Sequence, residues 1–577
     1  MSTRTAPAAN RFPTWTVITV LALAGLIVAV MQTLLVPLIP DLPNLLGVST
    51  DDASWLITAT LLASAVATPS MSRLADMFGK RRMMLVSLAL MAAGSVLGAL
   101  GTSLALLIAA RALQGCGMAL IPIGMSIMRD ELPRERLGAA VALMSATLGI
   151  GAAVGLPVSG LIFMHLGWHA LFWVSAVLAV TMLVAVLVVI PESRVRSGGT
   201  FDILGALLLS ALLVALLLGI TKGGSWGWTS QPTLLCFTSA AILLAAWIPW
   251  EFRVGQPLVD LRTSRRRPVL LTNTASFLVG FAMYCNMLST TEILQMPTST
   301  GYGFGLTVVQ AGLAMLPAAL MMVLLAPVSA SITSRYGAKT TLIVGAATLV
   351  VGYTVRVFLF GSIWQIILGA IVVSCGTAIA YASMPVLIMR AVPVTETAAA
   401  NGLNTVLRSV GTATASAAVA AILTSVTLEV DGITLPSQLA FQHVFVLAAT
   451  AAAIGGLVAL GLPRHGRAPT PAAVLDEIRP EGLDDEFIVH ALVVDESARP
   501  VAHAKVSVAL PSGEPVDWSL ADDHGRCSVA VPALGSYVVV ASAHGWASAS
   551  VVVDFDGTDD VPQVRLTERS GLADVSA

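Results

Sequence analysis

The chain has 577 residues, 56% of them hydrophobic and 11% charged, with a formal net charge of −2 and a mean hydropathy of +0.86. A soluble chain carries roughly 25% charged residues, and single soluble cores stop growing near about 250–300 residues. The composition therefore excludes an ordinary soluble protein, and the balanced charge gives no basic footprint for nucleic acid.

Runs such as VITVLALAGLIVAVMQTLLV (17–36) and ILGALLLSALLVALLLGI (203–220) approach the ~20 residues that cross the hydrocarbon of a bilayer. The first run is too long for a signal-peptide core and has no small-residue cleavage site close behind it, so it reads as a retained helix. The expected fold is an all-α polytopic membrane protein. Six helices are predicted near 15–37, 53–72, 83–101, 104–128, 137–163 and 168–190, then two near 202–220 and 231–251. Six more follow near 269–292, 306–332, 340–360, 362–389, 398–424 and 440–462. These fourteen spans divide into an N-terminal segment (1–14), a six-helix half (15–190), two inserted helices with a linker (191–268) and a second six-helix half (269–463). An acidic linker (464–485), a small β-domain (486–567) and a tail (568–577) complete the chain.

With fourteen spans, both termini fall on one side, and the loop arginines and lysines collect there, leaving Lys222 opposite. By the positive-inside rule that side is cytoplasmic, which predicts a multi-pass protein of the cell membrane. Arg111, Arg356 and Arg408 lie within predicted helices, where a charge costs at least ~2.5 kcal/mol and must face protein or water. Arg356, near an outer end, is expected to snorkel. Glu292 reads as the one acid within a span. The tryptophans of GGSWGWTS (223–230) and the pair His165 and His169 read as interfacial. Cys116, Cys236, Cys285, Cys375 and Cys527 are widely spaced and suggest neither a metal site nor a disulfide framework.

Internal symmetry is visible between SRLADMFGKRR (72–82) and SASITSRYGAK (329–339), which join corresponding helices of the two sets of six. In the first, Asp76, Gly79, Lys80, Arg81 and Arg82 resemble the loop motif of the major facilitator superfamily, although Ser72 and Met77 depart from it. RALQGCGMALIP (111–122), with Arg111 and Gln114, resembles the fourth-helix motif of that family. GIGAAVGLPVSG (149–160), with Gly151, Gly155, Pro157 and Gly160, resembles the fifth-helix motif of proton-driven exporters, with Leu156 as an extra residue. NGLNTVLRSVG (401–411) and LQMPTSTGYGFGLTVVQAGLAMLP (294–317) also resemble the fourteen-helix drug–proton antiporter branch. That branch usually carries an acid in its first helix, where this chain has Met31-Gln32-Thr33.

The resemblance implies a secondary transporter that exports amphipathic small molecules, exchanging them for protons by alternating access. It also implies a gate at Asp76, Gly79, Lys80 and Arg81, with Asp76 pairing with Lys80, Arg81 or a helix N-terminus. Arg111, Gln114, Glu292 and Arg408 are the expected intramembrane coupling residues, and Gln32 and Asn404 the cavity candidates. Arg111 is expected to couple to the fifth-helix motif, whose small residues are expected to let the two halves approach closely. Glu292 stands as the proton carrier in place of the missing first-helix acid. Export of a specific lipid or metabolite, transport without protons, and a non-transporting scaffold are the alternatives. No metal, cofactor or catalytic residue is expected: the chain has no G-x-x-x-x-G-K-[ST] loop and no convergent acids or histidines.

Beyond the spans, HAKVSVALP (503–511) and SYVVVASAHGW (536–546) alternate with period two and predict a β-sandwich. This segment resembles a carboxypeptidase regulatory-like (transthyretin-like) domain. From 468 onward there are 18 acidic and 6 basic residues, so 15 acidic and 25 basic residues remain before it. The β-domain thus has the charge to dock on the basic face or on a protein partner; an independent tethered module is an equal alternative.

Overall fold

The computed structural model describes residues 12–567 apart from 35–37, 39–44, 46, 133, 194, 198–199, 431–432, 464–486, 512–514, 532–533, 544–545 and 556–560. The expected linker and tail, residues 1–11 and the side chain of Pro157 lie outside the described residues.

Thirteen helices among the described residues are long and apolar enough to cross a membrane. A further 33-residue helix, Arg134–Leu166, stands between the fourth and fifth of them. In chain order the long helices are α1 (Thr14–Thr33), α2 (Thr50–Phe78), α3 (Lys80–Leu100), α4 (Leu104–Glu131), α5 (Arg134–Leu166), α6 (Trp168–Val189) and α7 (Ile203–Trp226). They continue with α8 (Gln231–Arg253), α9 (Arg267–Gln295), α10 (Val309–Tyr336), α11 (Ala338–Arg356), α12 (Ile363–Ala391), α13 (Thr397–Ser425) and α14 (Gln438–Leu460).

Their sequences explain where they start and stop. Ser49, Ser103, Thr307, Ser362 and Ser437 each accept a backbone N–H of the following first turn, the usual cap for otherwise orphaned donors. Three loops are single glycines with positive φ: Gly79 (117°) between α2 and α3, Gly167 (78°) between α5 and α6, and Gly337 (85°) between α10 and α11. The two motifs matched in the sequence thus break their helices with the same backbone device. α4 tightens to a 3-10 turn at Cys116–Ala119, and α10 breaks at Leu325 ahead of Pro327.

Exposed apolar side chains cover the outside, as Trp173, Val177, Val180 and Val184 do on α6, the surface that lipid requires. The helices run longer than their apolar stretches, which corrects two expectations. Asp76 falls inside α2, and Glu251 is buried in the last turn of α8 at 2% exposure, so Glu292 is not the one acid within these helices. In that last turn Glu251 Oε1 accepts from Val259 N at 3.3 Å.

β1 (Thr427–Val430) and β2 (Ile433–Pro436) form a hairpin between α13 and α14. After the linker come β3 (Phe487–Val494), β4 (Lys505–Ala509), β5 (Pro515–Leu520), β6 (Arg526–Val531), β7 (Gly535–Ser542), β8 (Ala549–Phe555) and β9 (Gln563–Arg565). They make two sheets, β6-β3-β9 and β5-β4-β7-β8, around one apolar core that includes Val493, Val506, Val529, Tyr537 and Phe555. Burial alternates along β7, as period-two patterning demands.

Candidate functional site

The helix ends carrying Lys80, Arg81, Arg82, Arg129, Arg335 and Lys339 lie at one end of the bundle, here termed the basic end. There Asp76, fully buried, accepts from the backbone N–H groups of Ala398 (3.2 Å) and Ala399 (2.8 Å) in the first turn of α13. A carboxylate meets the positive end of a helix dipole, from one half of the chain to the other. Of the partners expected for Asp76, the helix N-terminus is the one realised.

Lys80 instead pairs with Asp130 at 2.6 Å, with both side chains at 2% exposure or less, and Ser193 donates to the same Asp130 oxygen at 2.5 Å. Arg81 donates to the Leu187 carbonyl. Arg82 reaches Glu192 at 3.7 Å with most of its side chain exposed, and such a pair is worth little. The φ of +117° favours glycine at 79, and Glu192 Oε1 lies 2.4 Å from where a Cβ would stand, so the glutamate tip would have to shift to admit one. Arg129 closes the same end, donating to the Val392 and Pro393 carbonyls and to Thr397 Oγ1 at 2.7 Å. Gly402 of α13 sits against Ser72 of α2, where a Cβ would come within 2.7 Å.

Arg111 is buried deeper in the first half. It donates to Gln114 Oε1 (2.9 Å), the Met31 carbonyl (3.2 Å) and the Leu56 carbonyl (3.4 Å), while Gln114 donates to Ser95 Oγ (2.8 Å). Gln32, Arg111 and Gln114 line a cavity of about 10 Å³, room for about one water. Arg111 therefore ties α1 and α2 to α4, with α3 joined through Gln114, and among the described residues these hydrogen bonds do not reach α5. Its link to the fifth-helix motif runs through α1: the turn that accepts from Arg111 also carries Ala29, Val30 and Thr33, against which the motif packs.

The α5 glycines divide between two neighbours. A Cβ at Gly151 would lie 2.3 Å from Ala29 Cβ, and one at Gly155 would lie 1.9 Å from Thr33 Oγ1, both on α1 in the same half. Thr33 also donates to the Gly151 carbonyl at 3.2 Å. Gly149 and Gly160 instead face Met322 and Val309 of α10 in the other half, at 2.0 and 3.2 Å from a Cβ. The expectation of one small-residue seam between halves is corrected, because a 3.6-residue period cannot keep all these positions on one face.

In the second half Asn404 donates to Asn273 Oδ1 (2.9 Å) and Ser276 Oγ (2.6 Å) across α9 and α13, so it is committed to packing rather than facing a cavity. The Arg408 guanidinium lies 5.0 Å over the Tyr381 ring. Arg356 does not snorkel. It is 1% exposed, donates to Asn286 and lies 4.2 Å over Phe445, because α9 and α14 bring those groups to it. Lys222 is likewise buried, donating to Ser54 Oγ at 2.6 Å.

At the far end Glu292 is exposed on the wall of a cavity of about 480 Å³, whose lining includes Leu288, Val419, Leu423 and Thr424, with Thr427 and Thr434 from the β1–β2 hairpin. The Arg129–Thr397 contact, Asp130 as partner of Lys80, Asn273 with Ser276, Asn286 and Glu396 are all missed by sequence reasoning. The run RDE at 129–131, at the end of an apolar stretch, is the one signal that pointed to any of them.

Two sets of helices locked at one end through buried polar groups define a multi-pass membrane transporter fold. The sequence profile of the Major Facilitator Superfamily matches residues 21–416 and 272–477, and the chain belongs to that superfamily, as a transporter and not an enzyme. The Tetracenomycin C resistance and export protein of Streptomyces glaucescens is 31% identical over 333 residues, spanning 57% of this chain and 61% of that one. The Multidrug resistance protein Stp of Mycobacterium tuberculosis is 28% identical over 481 residues, spanning 81% and 87%. The crystal structure of the human organic anion transporter MFSD10 (TETRAN) overlays with a TM-score of 0.57 at 16% identity, covering 78% of this chain and all of that one. The last likeness concerns the fold alone.

Proposed function

We propose that the chain exports amphipathic small molecules across the cell membrane by alternating access, driven by proton antiport, with fourteen spans in two six-helix halves plus α7 and α8. The observation that carries this reading is the asymmetry of the bundle. One end is sealed by Asp76 on α13 and Arg129 on the 392–397 segment, while the other holds a cavity with an exposed carboxylate. The positive-inside rule makes the sealed, basic end cytoplasmic and puts both termini there. The cavity then faces outward, as in a transporter releasing its cargo. Related exporters of tetracenomycin and of multiple drugs support the direction and the substrate class. In this reading Asp76, Gly79, Lys80 and Arg81 form the gate, Arg111, Gln114 and Arg408 hold each half rigid, and Gly151, Gly155, Pro157 and Gly160 set the fit of α5. Glu292 is the group that exchanges a proton for a cationic cargo. The C-terminal strands are a β-sandwich of the carboxypeptidase regulatory-like kind.

A second reading, transport without proton coupling, draws on one observation: α1 has Met31, Gln32 and Thr33 where a coupling acid is expected, and Arg111 is satisfied by a carbonyl there. Proteoliposomes containing the full chain, loaded with ethidium as a probe amphipathic cation, separate the two. An imposed pH gradient is expected to accelerate ethidium flux in the wild type and to leave Glu292→Gln unaffected. A variant that keeps the full gradient dependence would strip Glu292 of its role.

A further inference from the structure

The C-terminal sheets touch the membrane bundle beside the sealed end. Trp518 of β5 offers its ring to the Arg266 guanidinium at 4.8 Å and to Lys505 Nζ at 5.1 Å. Arg266 caps α9, the first helix of the second half. Gln256, in the linker between α8 and α9, meets His503 Nδ1 at 2.9 Å. Val195, in the segment leaving α6, is 1% exposed because it packs with Ala530 and Ile488. β6, the strand that carries Ala530, also lies against the turn Val394–Glu396 that ends α12 and opens α13.

These contacts fall on the two segments that meet at the gate. The Val195 segment reaches Asp76 through Ser197, whose backbone N–H donates to the Asp76 carbonyl at 2.8 Å. The 394–396 turn leads directly into Ala398 and Ala399, the donors to the Asp76 carboxylate. One β-module thus rests on a segment of the first half and on a turn of the second half, on either side of the seal that must part for the basic end to open. These contacts, a cation stacked on a ring, a polar contact, a small apolar cluster and the approach of β6 to the 394–396 turn, are of the kind that joins domains within a chain. Contacts of that kind exchange readily.

We propose that the C-terminal β-module is a releasable clamp that favours the closed basic end, so that undocking it frees the transporter to open towards the side on which the module sits. The proposal rests on the alternating-access reading and adds to it an internal regulator.

The test uses the full-length chain in liposomes, cysteine-free except for spin labels at Arg82→Cys and Ser334→Cys, both exposed at the basic end on opposite halves. Trp518→Ala loosens the interface from the module side and Val195→Asp from the bundle side, so a folding defect in one does not decide the matter. Trp518→Phe keeps the aromatic face and serves as control. Both disrupting variants are expected to raise the ratio of long to short label separations roughly fivefold, the change equivalent to about 1 kcal/mol, with Trp518→Phe matching the wild type. Separations in Trp518→Ala and Val195→Asp identical to the wild type would overturn the clamp. Ethidium flux in the same liposomes judges transport separately: a wild type without flux defeats the transport reading, while the label separations still decide the clamp.

Discussion

Gly155 and Thr33 show how little space the α1–α5 contact leaves. A Cβ at 155 would sit 1.9 Å from Thr33 Oγ1 and 3.1 Å from the Val30 carbonyl, so the helices must separate to admit it. Gly155→Ala is expected to cost about 1–3 kcal/mol, read as a lowered thermal midpoint in detergent. Adding Thr33→Ala removes the clashing oxygen and is expected to recover most of that loss; a double mutant as unstable as the single one would disprove the contact. Lys80 and Asp130 pose the electrostatic version of the same problem. Truncating one member of a buried pair leaves an uncompensated charge, at about 3–5 kcal/mol. Lys80→Met is thus expected to be severely destabilising, and Lys80→Met with Asp130→Leu markedly milder, in the same melting assay. The sequence displays Lys80 in a legible motif, but its partner lies 50 positions away, and no local pattern announces that pairing.

The start of α13 is the element on which the seal turns. Its first turn offers free N–H groups to Asp76, and just before it Glu396 sits among Arg73, Asp260, Asp76 and Arg266. Burial, the largest influence, raises the Glu396 carboxyl from 4.5 to about 7; Asp260 and Asp76 push it the same way, and Arg73 and Arg266 oppose them. A carboxyl raised in this way favours the closed arrangement while protonated. Its contribution is complete below about pH 4.5 and is lost as the pH rises through about 7. The separation between labels at Arg82→Cys and Ser334→Cys is therefore expected to lengthen across that window, and Glu396→Gln to flatten the change. An unaltered pH profile in Glu396→Gln would assign the dependence elsewhere. α5 carries the companion lesson. Its glycines are plain in the sequence, yet Gly151 and Gly155 serve α1 while Gly149 and Gly160 serve α10.

Across the whole molecule, the membrane part is held in two sets of helices, and the three arginines within the spans take neutral or aromatic partners: Arg111 among carbonyls and Gln114, Arg356 with Asn286 and Phe445, Arg408 over Tyr381. Polar groups at this depth persist only when satisfied inside the protein. The sequence by itself determined the membrane class, the approximate positions of the long helices, the glycine-broken loops of the two matched motifs and the alternating strands after residue 486, because hydropathy, helix period and turn chemistry are local properties of the chain. Only the tertiary structure decided that Asp76 caps α13, that Lys80 turns to Asp130, that Arg356 is buried rather than snorkelled, and that Trp518 stacks on Arg266. Those choices join residues far apart in the chain, and each is fixed by which buried polar group lies nearest once the helices have packed.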